Sequence, residues 1–123
     1  MPNFESEPSD MEIEKLRQIC LALPGASEEI KWGEDLCFVV GAKMFCVAGM
    51  HDGHITLKVR DEDFADMTER EGISPAPYLG RNNWVIVQKG NKLKPKEWGY
   101  YIKQSYELVK AKLPKRVQRE LGE

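Results

Sequence analysis

Leu36-Cys37-Phe38-Val39-Val40-Gly41-Ala42-Lys43-Met44-Phe45-Cys46-Val47-Ala48 is the stretch that decides the fold. Two apolar runs, residues 36–40 and 43–48, flank Gly41-Ala42. Short runs rich in Val and Phe read as strands, and a two-residue connection opening on glycine suits a type II′ hairpin. A two-residue loop sets Val40 opposite Lys43 and Cys37 opposite Cys46, the second as a non-hydrogen-bonded pair. Downstream, Asp52-Gly53 signals a second hairpin, of type I′, leading into residues 54–59. There Ile55, Leu57 and Val59 alternate with Thr56 and Lys58, so one face is buried and the other wet. Upstream, residues 30–32 make a shorter strand, broken by Gly33-Glu34-Asp35.

Helical patterns frame these strands. Ile13, Leu16, Cys20 and Leu23 recur at spacings of three and four, Ser9 with Glu12 forms a capping box, and Pro24-Gly25 ends the helix. Residues 61–71 form a short acidic helix anchored by Phe64 and Met67, with Gly72 after its end. Residues 73–83 carry Pro75, Pro77 and Gly80 and read as loop; residues 84–87 are a last strand. Pro95 suits the first turn of a final helix, whose inner stripe is Trp98, Tyr101, Ile102, Ser105, Leu108, Val109 and Lys112, closed by Pro114. The order is α-β-β-β-β-α-β-α. Hairpin-linked strands imply an α+β domain with a twisted antiparallel sheet and its helices packed on one face. Residues 1–10 read as a flexible acidic tail, 11–114 as a single domain, and 115–123 as a basic extension.

The chain has 123 residues, 41% hydrophobic and 31% charged, enough apolar material for a core and too much for disorder. No apolar run approaches the ~18–20 residues that span a bilayer, and the acidic N-terminus does not resemble a secretory signal. The expected compartment is the cytoplasm, the expected state a monomer, and no membrane partner is expected. The odd set Cys20, Cys37 and Cys46, each among apolar neighbours, reads as reduced core thiols; a Cys37–Cys46 redox pair is the alternative. Net charge is −2, yet carboxylates dominate before residue 80 and Lys/Arg dominate after it, which allows a basic face on an acidic body.

Chemistry-bearing motifs are sparse. Neither a phosphate-cradling GxxxxGK[ST] nor a GxSxG is present, and Glu28-Glu29 or Asp61/Asp63 read as surface or cap residues. His51, Asp52 and His54 bracket a turn but fall short of the four ligands of a structural zinc site, so exposed histidines are the better reading. Glu5, Glu7, Asp10, Glu12 and Glu14 read as a solvated acidic end. No metal, cofactor or catalytic residue is assigned. The segment from Arg81 to Lys96 is the most suggestive. Arg81, Asn82 and Asn83 precede Trp84, and Lys89, Lys92, Lys94 and Lys96 follow. Arg and Lys can hold phosphates, and Asn can bond adenine edges. The plainer reading makes Trp84 core, the lysines a solvated loop and the asparagines a turn.

Leu23-Pro24-Gly25, Gly41-Ala42-Lys43-Met44-Phe45, Ile55-Thr56-Leu57-Lys58, Pro77-Tyr78-Leu79, Asn83-Trp84-Val85 and Ser105-Tyr106-Glu107-Leu108-Val109, in this order and spacing, resemble the MmcQ/YjbR family. The resemblance covers about residues 11–113. It implies a fold like that of bacterial frataxin (CyaY-like), with two main helices against a twisted antiparallel sheet, and it implies DNA binding. Lys43 and Lys58 match the family's lysines. Arg81 falls near its basic position, while Asn83 stands where many members carry His. The frataxin-like fold also raises iron on the first helix, where Lys15 and Arg17 interrupt the glutamates. The expectation is a non-enzymatic DNA-binding or regulatory module contacting phosphates through Lys43, Lys58, Arg81, Asn82, Asn83, Lys89, Lys92, Lys94 and Lys96. The alternative is a protein- or small-molecule-binding domain with no nucleic-acid role, using the sheet's wet face and residues 75–80.

Overall fold

The structure, a computed structural model, describes residues 12–33, 35–49, 53–76, 83–88 and 93–122. Ten elements follow in order: α1 (Ile13–Leu21), β1 (Ser27–Lys31), β2 (Asp35–Val40), β3 (Lys43–Gly49), β4 (Ile55–Lys58), α2 (Asp61–Thr68), β5 (Ile73–Pro75), β6 (Trp84–Val87), α3 (Pro95–Lys110) and α4 (Lys115–Glu120). The strands form one antiparallel sheet of order β1-β2-β3-β4-β6-β5. The α+β architecture is therefore the one the sequence predicts, with a short strand β5 and helix α4 added to it.

One face of the sheet packs against all four helices. Leu36, Phe38, Val40, Ala48, Ile55, Leu57, Val85 and Val87 project into a core shared with Leu16, Cys20, Met67, Trp98, Ile102, Tyr106 and Val109. Val117 of α4 and Leu121 at its C-cap pack against its end. Each fully buried side chain of this size contributes roughly 1.5–3 kcal/mol relative to exposure. The Tyr106 ring meets Phe45 edge-on at 5.4 Å, and its hydroxyl donates to the Pro24 carbonyl at 2.5 Å.

Several local readings are corrected. Gly41 and Ala42 both have positive φ, +56° and +68°, which makes the turn type I′ instead of II′. Val40 does pair with Lys43, but the register shifts between Phe38 and Val39, so Phe38 faces Cys46 and Cys37 faces Val47. The cause is a bulge that sets both Phe45 and Cys46 toward the core. Cys37 and Cys46 are thereby taken off opposing positions, and all three cysteines are buried and free. A hydrogen bond with Cys20, aided by burial, pushes the Cys46 thiol well up. The β3–β4 connection closes at Gly49 and His54 (N···O 2.9 Å), not around Asp52-Gly53 alone. His51 and Asp52 lie outside the described residues, and among the described residues no His/Cys/Asp/Glu cluster could hold a metal.

The first helix is capped at Glu12, without a side-chain bond; Ser9 lies outside the described residues. Ile73–Pro75, read as loop, pairs with β6, and proline is tolerated because this strand is an edge. Thr56, expected on a wet face, is 7% exposed, flanked by Val47 and Ile86 on its neighbours. Cys37, Val39 and Trp84 are buried on that same side. Leu108 is only half-buried and Lys112 is exposed, so neither belongs to the inner stripe; buried Tyr106 does. Among the described residues no helix is long and apolar enough to cross a membrane.

Candidate functional site

The ladder between β3 and β4 ends at Cys46 and Leu57. Just beyond it the fully buried Ser105 hydroxyl of α3 bridges the strands. It accepts from the Lys58 N–H (2.9 Å) and donates to the Phe45 carbonyl (2.5 Å). The neighbouring Gln104 accepts from the Arg60 N–H (2.9 Å) and donates to the Asp63 carboxylate (3.1 Å). Two consecutive side chains of α3 thus fix the path of residues 58–60 into α2. Arg60 in turn donates to the Tyr100 hydroxyl (2.6 Å) and lies 3.9 Å from Glu62 and Asp63.

A groove runs along the outward side of α3. Tyr100, Lys103, Glu107, Leu108, Ala111 and Lys112 follow helical spacing and form its near wall. One cavity of about 370 Å³ lies between Arg60 and the Tyr100–Ala111 face. A second of about 390 Å³ lies between Lys58, Asp61 and Asn83 on one side and Lys112 on the other. Both are lined by Arg60 and Leu108, so they adjoin. Neither is lined by Trp32 or Trp84, and Tyr78, the third aromatic of the small-molecule reading, lies outside the described residues.

Some cations of the described residues are paired and others are not; Lys15, Lys94 and Lys96 are among the unpaired. Arg17 binds Glu28 at 2.7 Å, Arg70 binds Glu97 at 3.1 Å, Lys110 lies 3.5 Å from Glu107, and Lys31 lies 3.6 Å from Glu29. Hydrogen bonding to its partner arginine holds each of the Glu28 and Glu97 carboxyls below the usual range. By contrast, Lys43, Lys58, Lys103, Lys112, Lys115, Arg116 and Arg119 form no ion pair among the described residues. These cations share one end of the fold. Lys58 and Lys112 line one cavity. Lys43 follows the turn whose Gly41 abuts Leu113, and α4 begins two residues after Leu113.

The nine predicted contact residues divide. Lys43 is exposed and Lys58 half-buried at this cationic end. Asn83 lines the same cavity as Lys58, in a left-handed conformation (φ +63°) that shapes the turn before β6. Its amide donates to the Asp61 carboxylate. Lys94 and Lys96 are exposed at the start of α3. The 16 residues of α3 span about 24 Å at 1.5 Å each, and they separate Lys94, before its start, from Lys112, past its end. Arg81, Asn82, Lys89 and Lys92 lie outside the described residues. Sequence reasoning missed Lys103, Lys112, Lys115, Arg116 and Arg119. Lys103 lies on the outward side of α3 and Lys112 just past its end, while Lys115, Arg116 and Arg119 belong to α4, in the stretch the sequence marks only as a basic extension.

A family model described as YjbR matches residues 21–108. No curated protein matches the chain. Among solved structures, a Deinococcus radiodurans protein, DR2400, with a DUF419 domain is similar at a TM-score of 0.83 and 25% identity, covering 94% of this chain and 91% of that one. A Pseudomonas syringae protein is similar at a TM-score of 0.66 and 19% identity, covering 80% and 98%, which bears on fold alone.

Proposed function

The chain belongs to the YjbR family, and from that premise we propose that it is a non-enzymatic DNA-binding module of the cytoplasm, taking phosphates at its cationic end. One observation carries the reading: Lys58 and Lys112 face each other across one cavity, and they and Lys43, Lys103, Lys115, Arg116 and Arg119 have no carboxylate partner among the described residues. Unpaired cations hold a counterion atmosphere ready to exchange for phosphate. Net charge is −2, so attraction comes from this surface and not from the molecule as a whole.

Contacts of this kind position a duplex without reading its sequence. Asn83 is committed to Asp61, so its role is to shape the turn, not to read adenine. Tyr100, which lines the groove, is bonded to Arg60.

Anisotropy of a labelled duplex, titrated between about 50 and 200 mM salt, tests the proposal. The expected result is a log–log slope of about −0.9 per neutralised phosphate. Lys112→Glu and Arg116→Glu should each weaken binding on every sequence and flatten the slope by roughly one. No binding at the low-salt end, or an unchanged slope in both variants, would sink it. The adjoining cavities favour a second reading, a small anionic ligand held by Arg60 against Tyr100 and Leu108. Binding abolished by Arg60→Ala but indifferent to Arg116→Glu would select that one.

A further inference from the structure

The sheet has two edges, and they are built differently. β5 is three residues long and ends on Pro75, a device that blunts pairing. β1 has five residues, no proline, and among the described residues pairs on one side only. It carries the most exposed apolar side chains of the described residues, Ile30 at 56% and, just past the strand, Trp32 at 68%.

Hydrogen-bond parity says which backbone groups of β1 are free. The two-residue turn makes Val40 and Lys43 a hydrogen-bonded pair, so along β2 the residues Val40, Phe38 and Leu36 bond toward β3. The Gly49 N–H bonding to His54 obeys the same alternation one strand further on. Val39, Cys37 and Asp35 therefore bond toward β1, to Ser27, Glu29 and Lys31. Glu28 and Ile30 are left with N–H and C=O directed outward.

We propose that β1 is a self-association edge, at which two copies of the chain pair antiparallel with Ile30 opposite the partner's Ile30. Charge selects this register. Pairing Glu28 with the partner's Ile30 also satisfies the outward groups, but it sets Glu29 against the partner's Glu29. The Ile30 register sets Glu29 opposite the partner's Lys31 and Lys31 opposite the partner's Glu29. The 3.6 Å Glu29–Lys31 pair of one copy becomes a square of alternating charge. On the helix-facing side the two isoleucines cover each other, which removes the apolar exposure that α1 leaves open. The inference is independent of DNA binding and departs from the monomer the sequence suggests.

Sedimentation equilibrium on the full chain tests it. The unsubstituted protein should show a concentration-dependent monomer–dimer equilibrium. Glu29→Lys or Lys31→Glu alone puts like charges across the two-fold twice and should raise the dissociation constant about tenfold. An equimolar mixture of those two variants should dimerise again, because the mixed pair restores both attractions; this rescue separates electrostatics from misfolding. Ile30→Cys should crosslink on oxidation far faster than Glu29→Cys, the native thiols being buried. A monomer at every concentration up to about 1 mM, a mixture that stays monomeric, or faster crosslinking through Glu29→Cys would each overturn the proposal.

Discussion

Ser105→Ala is the perturbation that most directly tests how α3 holds the sheet. The hydroxyl stands in for a ladder bond where β3 and β4 part, and the Lys58 N–H and the Phe45 carbonyl it joins have no other partner within that ladder. Alanine fits the space and leaves both groups unbonded, the Phe45 carbonyl in a fully buried setting and the Lys58 N–H in a partly buried one. A buried backbone donor or acceptor left unsatisfied costs about 1–3 kcal/mol. Two such groups, with some recovery by relaxation, give a loss of about 2–4 kcal/mol. That is a large share of the roughly 5–15 kcal/mol typical of a domain. Urea unfolding followed by tryptophan fluorescence should show the midpoint falling by about 1–2 M with an unchanged slope. Thr68→Ala is the matched control. Its hydroxyl back-bonds to the Phe64 carbonyl within α2 at 2.9 Å, and its loss should cost under about 0.5 kcal/mol. A Ser105→Ala variant within about 0.5 kcal/mol of the parent would refute the bridge, and faster exchange of the Lys58 amide should accompany the larger loss.

Two further outcomes follow from local geometry and charge. Ala42 sits at φ +68°, a conformation that costs a non-glycine residue about 1–2 kcal/mol, so Ala42→Gly should stabilise by about 0.5–1 kcal/mol after glycine's extra unfolded entropy; thermal melts check the sign. The Glu97 carboxyl is held low first by the Arg70 guanidinium and then by the Lys94 N–H, against the opposing effect of burial. Its folded value lies below its unfolded one. The stabilisation is thus full above the ordinary carboxylate range near ~4.3 and is lost as pH falls through the lowered value. Urea midpoints measured from about pH 6 down to about pH 2 should drop, and Arg70→Gln should flatten that acid limb.

The strands were legible because apolar periodicity is local, and so was the antiparallel pairing of β2 with β3 across Gly41-Ala42. The register beyond that turn was not. It depends on a bulge at Phe45, and Phe45 is held by Ser105, distant by 60 positions in the chain. A two-residue turn rule carries no information about that contact. β5 was hidden by Pro75, which reads as a breaker unless the strand is known to be an edge. Within the candidate site, Lys58 and Asn83 were identified from sequence, but the wall facing them was not. Lys112 had been assigned inward on period alone. The actual stripe turns instead through Tyr106 and Val109, and so delivers Lys112 to the groove.

Ser105 and the charged residues along α3 play different parts, which allows stability and binding to be separated in this fold. Gln104 and Ser105 anchor the backbone of Arg60 and Lys58, the far wall of the groove. Tyr100, Lys103 and Leu108 of the same helix, with Gln104 between them and Lys112 past its end, supply the near wall. One rigid element therefore sets the separation of Lys58 from Lys112. Removing the Ser105 hydroxyl frees the far wall without changing charge, so it should weaken ligand binding while the salt slope stays as it was. Reversing Lys112 changes the slope while the unfolding midpoint stays near the parent's, because exposed substitutions usually lie within about 0.5 kcal/mol. If Ser105→Ala altered the salt slope as much as Lys112→Glu does, the cations would be bound through a rearranged surface, and the groove as built would not be the site.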